Sequence, residues 1–117
     1  MPVRELGQLT WQEVGGTDRE RVVAILPIGA LEAHGPHLPL ATDILIAEAM
    51  ARTGAERLAV RGMDILMLPA LTYAPAPFAA DFPGTLSLDP AALTAQIVGI
   101  ADSLSRHDFD LLALANA

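Results

Sequence analysis

The sequence predicts an α/β layered fold on a mainly parallel sheet, and three observations carry that reading. Segments with helical signals alternate with short apolar runs, in the order helix, strand, helix, strand, helix, strand. Each stretch between successive runs is long enough for the right-handed crossover that parallel neighbours require. The strongest run, VVAILP at 22–27, contains no polar residue, the pattern of a strand covered on both faces.

The elements follow in order. Thr10 with Glu13 three residues on forms a capping box, which starts a short helix before Gly15-Gly16. After the strand at 22–27, Gly29, Gly35, Pro36 and Pro39 punctuate residues 28–42 and make them a loop. Asp43 then opens a helix in which Ile44, Ala47, Met50 and Ala51 recur at helical spacing. A second apolar run at 63–68 is stopped by Pro69. Residues 72–85, with Pro75, Pro77, Pro83 and Gly84, form a long irregular loop, a type that is usually functional or flexible. Asp89-Pro90 supplies a cap and a proline at the first helical position, launching a helix through about residue 106. The third strand is expected at 109–115.

At 117 residues, with no repeat, linker or low-complexity tract, the chain is expected to form one domain over residues 1–117. Hydrophobic residues make up 52% and mean hydropathy is +0.40, which disfavours disorder and suggests apolar surface that expects a partner. The net charge of −7, with seven scattered Lys and Arg, argues against nucleic acid and gives no basic face for an anionic membrane. The longest apolar run, 22–31, is too short and too broken to span a bilayer. The N-terminus lacks an apolar signal core, so a cytoplasmic protein is expected. Without cysteine, a metal site must use carboxylates and imidazoles, which suits Zn, Mn or Fe.

The candidate chemistry lies in residues 26–43, LPIGALEAHGPHLPLATD, which set Glu32, His34 and Asp43 just beyond the first strand. In α/β folds, ligands bind outside the carboxyl ends of the strands. Positions i and i+2 of an extended segment share a side about 6.6 Å apart, a natural spacing for two ions that each take one ligand. Asp43 has two carboxylate oxygens and could bridge such ions, which would hold a hydroxide for attack on a carbonyl. Plainer roles stand beside these. Asp43 suits a helix start, His34 and His37 could be solvated or bonded to backbone, and Glu32 could be a surface charge.

The 26–43 segment resembles the signature of the creatininase (creatinine amidohydrolase) family, with Ala30 where that family commonly has serine. FPGTLSL at 82–88 resembles a second family segment. The similarity spans the chain and corresponds to roughly the N-terminal half of a family member. It implies a three-layer α/β/α sandwich, often hexameric, with two divalent ions, either Zn or Mn with Zn. Glu32 would ligate one ion, His34 the other, and Asp43 both, with His37 nearby. The implied reaction is hydrolysis of a C–N bond in a small cyclic or linear amide by metal-bound hydroxide. Two departures bear on substrate. Residues 74–79 read APAPFA where the family carries polar residues, leaving Asp81 as the only charge there. The family's remaining histidine and glutamate ligands would lie past residue 117. The competing expectation is therefore a non-catalytic α/β module with an incomplete metal site that acts through oligomer or partner binding.

Overall fold

The structure is a computed structural model that describes residues 3–117. Its sheet has four strands in the order β1-β3-β2-β4, all parallel. These are β1 (Val3–Glu5), β2 (Val22–Ile28), β3 (Asp64–Met67) and β4 (Leu112–Asn116). The expected run of three strands is therefore one short. β1 pairs with β3 at Val3 to Ile65, and its three residues are too few to show an alternating pattern.

β2 is interior and every one of its residues is buried. Its alternate side chains feed two separate cores, as strand geometry dictates. Val22, Ala24, Leu26 and Ile28 meet Leu66, Leu104 and Phe109 on one face, where Leu93, Ile97 and Ile100 of α3 (Pro90–Arg106) and Val14 of α1 (Trp11–Gly15) also pack. Val23 and Ile25 meet Ile65, Met67, Ala51 and Ala55 on the other, under α2 (Thr42–Val60). Helices thus cover both faces, and the predicted α/β/α layering is present.

The helix signals act as physical chemistry requires. Thr10 Oγ1 accepts from the Glu13 backbone N–H at 3.1 Å, and the Glu13 carboxylate accepts from the Thr10 N–H at 2.9 Å. The Asp89 side chain accepts from the Ala91 N–H at 2.9 Å with Pro90 at the first position of α3. In α2 the buried stripe is Ile44, Ala47, Ala51 and Ala55, whereas Met50 is 52% exposed. The small alanines let the helix lie close to the sheet, and the longer methionine falls outside that contact.

Phe109 is buried as a plug before β4 rather than as part of it. The 72–85 stretch is irregular but anchored, with a 3-10 turn at Pro77–Ala79 and a bridge between Ile28 and Leu71. Because the strands are parallel, the loops after β2 and β3 and the end of β4 meet at one edge. There the Ala117 N–H donates to the Ile28 carbonyl at 3.0 Å. Among the described residues, no helix is long and apolar enough to cross a membrane.

Candidate metal centre

The segment after β2 leaves the sheet at Gly29, whose N–H donates to the Leu71 carbonyl at 3.0 Å. Here the chain passes directly beneath the start of α2. A Cβ on residue 29 would lie 2.6 Å from the Ile44 nitrogen and 2.8 Å from the Asp43 carbonyl carbon. Only glycine permits this approach, and the approach brings Asp43 to the loop that carries Glu32 and His34.

Residues 31–33 carry no regular secondary structure, and hydrogen bonds hold them to two neighbouring segments. On one side the Glu32 N–H donates to the Leu40 carbonyl at 3.1 Å. On the other, the Ala33 N–H donates to Thr85 Oγ1 at 2.9 Å and the Leu86 N–H to the Leu31 carbonyl at 3.0 Å. Gly84, at φ +94°, turns the 82–88 segment so that Thr85 and Leu86 face residues 31–33. An antiparallel bridge from His34 to Leu38 closes the turn that follows.

Glu32, His34 and Asp43 converge, with one ligand atom from each lying within 4.8 Å of the others. His34 Nε2 is 3.0 Å from Asp43 Oδ1, and His34 Nδ1 is 3.1 Å from the Glu32 carbonyl oxygen. A carbonyl can only accept, so Nδ1 carries a proton and Nε2 is the nitrogen presented to the cluster. Bonding to the Glu32 carbonyl, and then the Asp43 charge, raises the imidazole pKa. Glu32 is only 7% exposed, which removes the surface-charge reading. A hydrogen bond shared with the Asp43 side chain, burial and the Asp43 charge push its carboxyl pKa upward, with His34 opposing. Two carboxylates this close repel each other and favour a positive charge between them, whether proton or cation, and the imidazole beside them offers a further donor. The donor set thus suits a divalent ion.

His37 is exposed and stands outside this group. The apolar 74–79 segment has a packing reason: Ala74 and Ala76 are buried against Ala30, the residue that replaces the family's serine. Gly29 is legible in the sequence only as loop punctuation and Thr85 only as part of FPGTLSL, because the bond from Ala33 to Thr85 spans 52 positions and leaves no local pattern.

The family model described as creatinine amidohydrolase matches residues 7–117. The chain is 37% identical to the creatinine amidohydrolase of Pseudomonas putida, over 95% of this chain and 43% of that protein. It is 41% identical to a mycofactocin precursor peptide peptidase of Mycobacterium tuberculosis, over 82% of this chain and 39% of the relative. A manganese form of creatininase superposes with a TM-score of 0.81 at 34% identity, covering 96% of this chain and 45% of that one. A zinc–zinc form of a creatininase mutant gives 0.80 at 36% identity, with 94% and 43% covered. The chain thus spans less than half the length of the relatives it matches. Matched sequence, parallel sheet and converging acid–imidazole–acid group lead to one conclusion: this chain belongs to the creatininase family.

Proposed function

We propose that this chain supplies the metal-binding edge of a metal-dependent amidohydrolase that cleaves a C–N bond in a small cyclic or linear amide. The observation that carries the proposal is the convergence of Glu32, His34 and Asp43 within 4.8 Å at the carboxyl edge of the sheet. Glu32 and His34 would each face a separate ion, with Asp43 shared. Divalent ions at such a site polarise an amide carbonyl and make water acidic enough to attack near neutral pH. The rest is the work of this chain's own groups. The Glu32 carbonyl holds the His34 ring so that Nε2 is offered to a cation, the arrangement that orients and strengthens imidazole ligands. The two carboxylates would offset the charge of the ions, with Glu32, whose pKa is raised, giving up its proton to do so. Oxygen and nitrogen donors without thiolate accommodate zinc, manganese or iron.

Three protein ligands fill the usual complement of one catalytic zinc, so a pair of ions draws on donors beyond this trio. The amide class is supported by the named relatives, one an amidohydrolase of creatinine and the other a peptidase. Self-association, which the family resemblance implies, is part of the proposal.

The test is elemental analysis of the purified protein together with hydrolysis of creatinine and of short peptides. Glu32→Gln and His34→Ala should each lower bound zinc or manganese while leaving a folded protein. Unchanged metal content in both variants would refute the assignment.

A further inference from the structure

We propose that Thr85 is a positioning residue for the metal centre, acting through the peptide that joins its two loop ligands. The inference rests on the metal reading above and adds a residue to it. Thr85 Oγ1 accepts the Ala33 N–H at 2.9 Å, and Ala33 stands between Glu32 and His34. The neighbouring Leu86 N–H donates to the Leu31 carbonyl at 3.0 Å, so the bond is one of a pair on that edge. In a regular ladder of either sense a backbone carbonyl would take the Ala33 N–H. Here the turn in which the Thr85 N–H bonds to the Phe82 carbonyl at 3.1 Å draws the backbone aside, and the hydroxyl stands in.

The consequence for the ligands is geometric. Glu32 and His34 reach the same cluster from either side of the Ala33 peptide. Rotation of that peptide swings the two side chains apart. The Thr85 bond opposes that rotation on one edge and the bond from the Glu32 N–H to the Leu40 carbonyl opposes it on the other. Glu32 also supplies the carbonyl that orients His34, so one peptide controls the carboxylate and the imidazole together.

A matched control lies in the same segment. Ser87 Oγ accepts the Ala76 N–H at 2.8 Å, a bond of the same type that ends on a residue outside the ligand group. Zinc affinity of the 117-residue chain, measured by titration calorimetry, should fall about 10–100-fold in Thr85→Val, the usual effect of losing a partner that orients ligands. Thr85→Ser, which keeps the acceptor, should stay within about threefold of the parent, and Ser87→Ala should lose stability without losing affinity. If Thr85→Val does not fold, hydrogen exchange on the parent chain decides. Coupling is reciprocal, so zinc should slow exchange at the Ala33 amide and leave the Ala76 amide unchanged. Parental affinity in Thr85→Val, an equal loss in Ser87→Ala, or zinc-independent exchange at Ala33 would each overturn the proposal while leaving the metal reading intact. A parent chain that binds no zinc would overturn both.

Discussion

Replacing Gly29 with alanine tests how the fold delivers Asp43. The added methyl carbon would sit 2.6 Å from the Ile44 nitrogen, where ordinary contact begins at 3.4 Å, so the start of α2 must lift by about 0.8 Å. The obstacle is helix backbone, which cannot rotate away as a side chain would. His34 stays with its loop, held by the Leu40 and Thr85 bonds, while Asp43 moves with the helix. The 3.0 Å contact between His34 Nε2 and Asp43 Oδ1 then opens by up to about 0.8 Å, weakening or breaking it. Metal–ligand distances tolerate only about 0.2 Å, so zinc affinity should fall by at least roughly tenfold. Overpacking should lower stability by about 1–3 kcal/mol. Urea unfolding and zinc titration calorimetry measure the two effects. Gly54→Ala provides the control, because a methyl there meets nothing within 4 Å and should stabilise α2 by roughly 0.5–1 kcal/mol. A Gly29→Ala protein with parental zinc affinity would refute the reasoning.

Four other outcomes are expected. Zinc binding should tighten as pH rises from about 5 to 8, because Glu32 and His34 both hold protons more firmly than usual and must release them to ligate. Stability of the metal-free chain should run the opposite way. A raised folded-state pKa contributes fully below the ordinary values of 4.5 and 6.5, and the contribution is lost as pH passes the folded values. Thermal melts across that range, with and without zinc, check both signs. Asp43→Asn should impair metal binding more than His34→Ala, since a neutral amide offsets no cation charge and leaves Glu32 without its closest acidic neighbour. Elemental analysis of the two variants ranks them. Arg19→Lys should lose roughly 1–3 kcal/mol in urea unfolding. The guanidinium lies 4.3 Å over the Phe109 ring and also donates to the carbonyls of His107 and Val14, a fork that an ammonium cannot reproduce.

How much was legible in the sequence depended on whether a signal was local. β2 could be read because both its faces are buried and its apolar run is unbroken. α3 could be read because Asp89-Pro90 states its start in two residues. In α2 the stripe was read with Met50 in place of Ala55, because alanine is equally at home inside and outside and leaves the helical phase ambiguous. The 72–85 stretch reads as an irregular loop, which it is, but the bonds that anchor it, from the Ala33 N–H to Thr85 and from the Gly29 N–H to Leu71 just before it, do not show in the sequence. Those partners are distant in sequence and cast no pattern. At the site, the spacing of Glu32 and His34 placed them on one side. The burial of Glu32 and the clasp of Gly29 on α2 arise only when the sheet and helix are assembled.

The alanines at 47, 51 and 55 have an effect beyond close packing. Methyl groups make a shallow, smooth track, with few knobs to prevent a helix about 28 Å long from gliding along its own axis. The close approach of Gly29 to the Asp43–Ile44 backbone therefore fixes where the start of the helix, and with it the Asp43 carboxylate, sits against the cluster. The position of the Asp43 carboxylate then depends on the seating of the whole helix as well as on one side-chain rotamer.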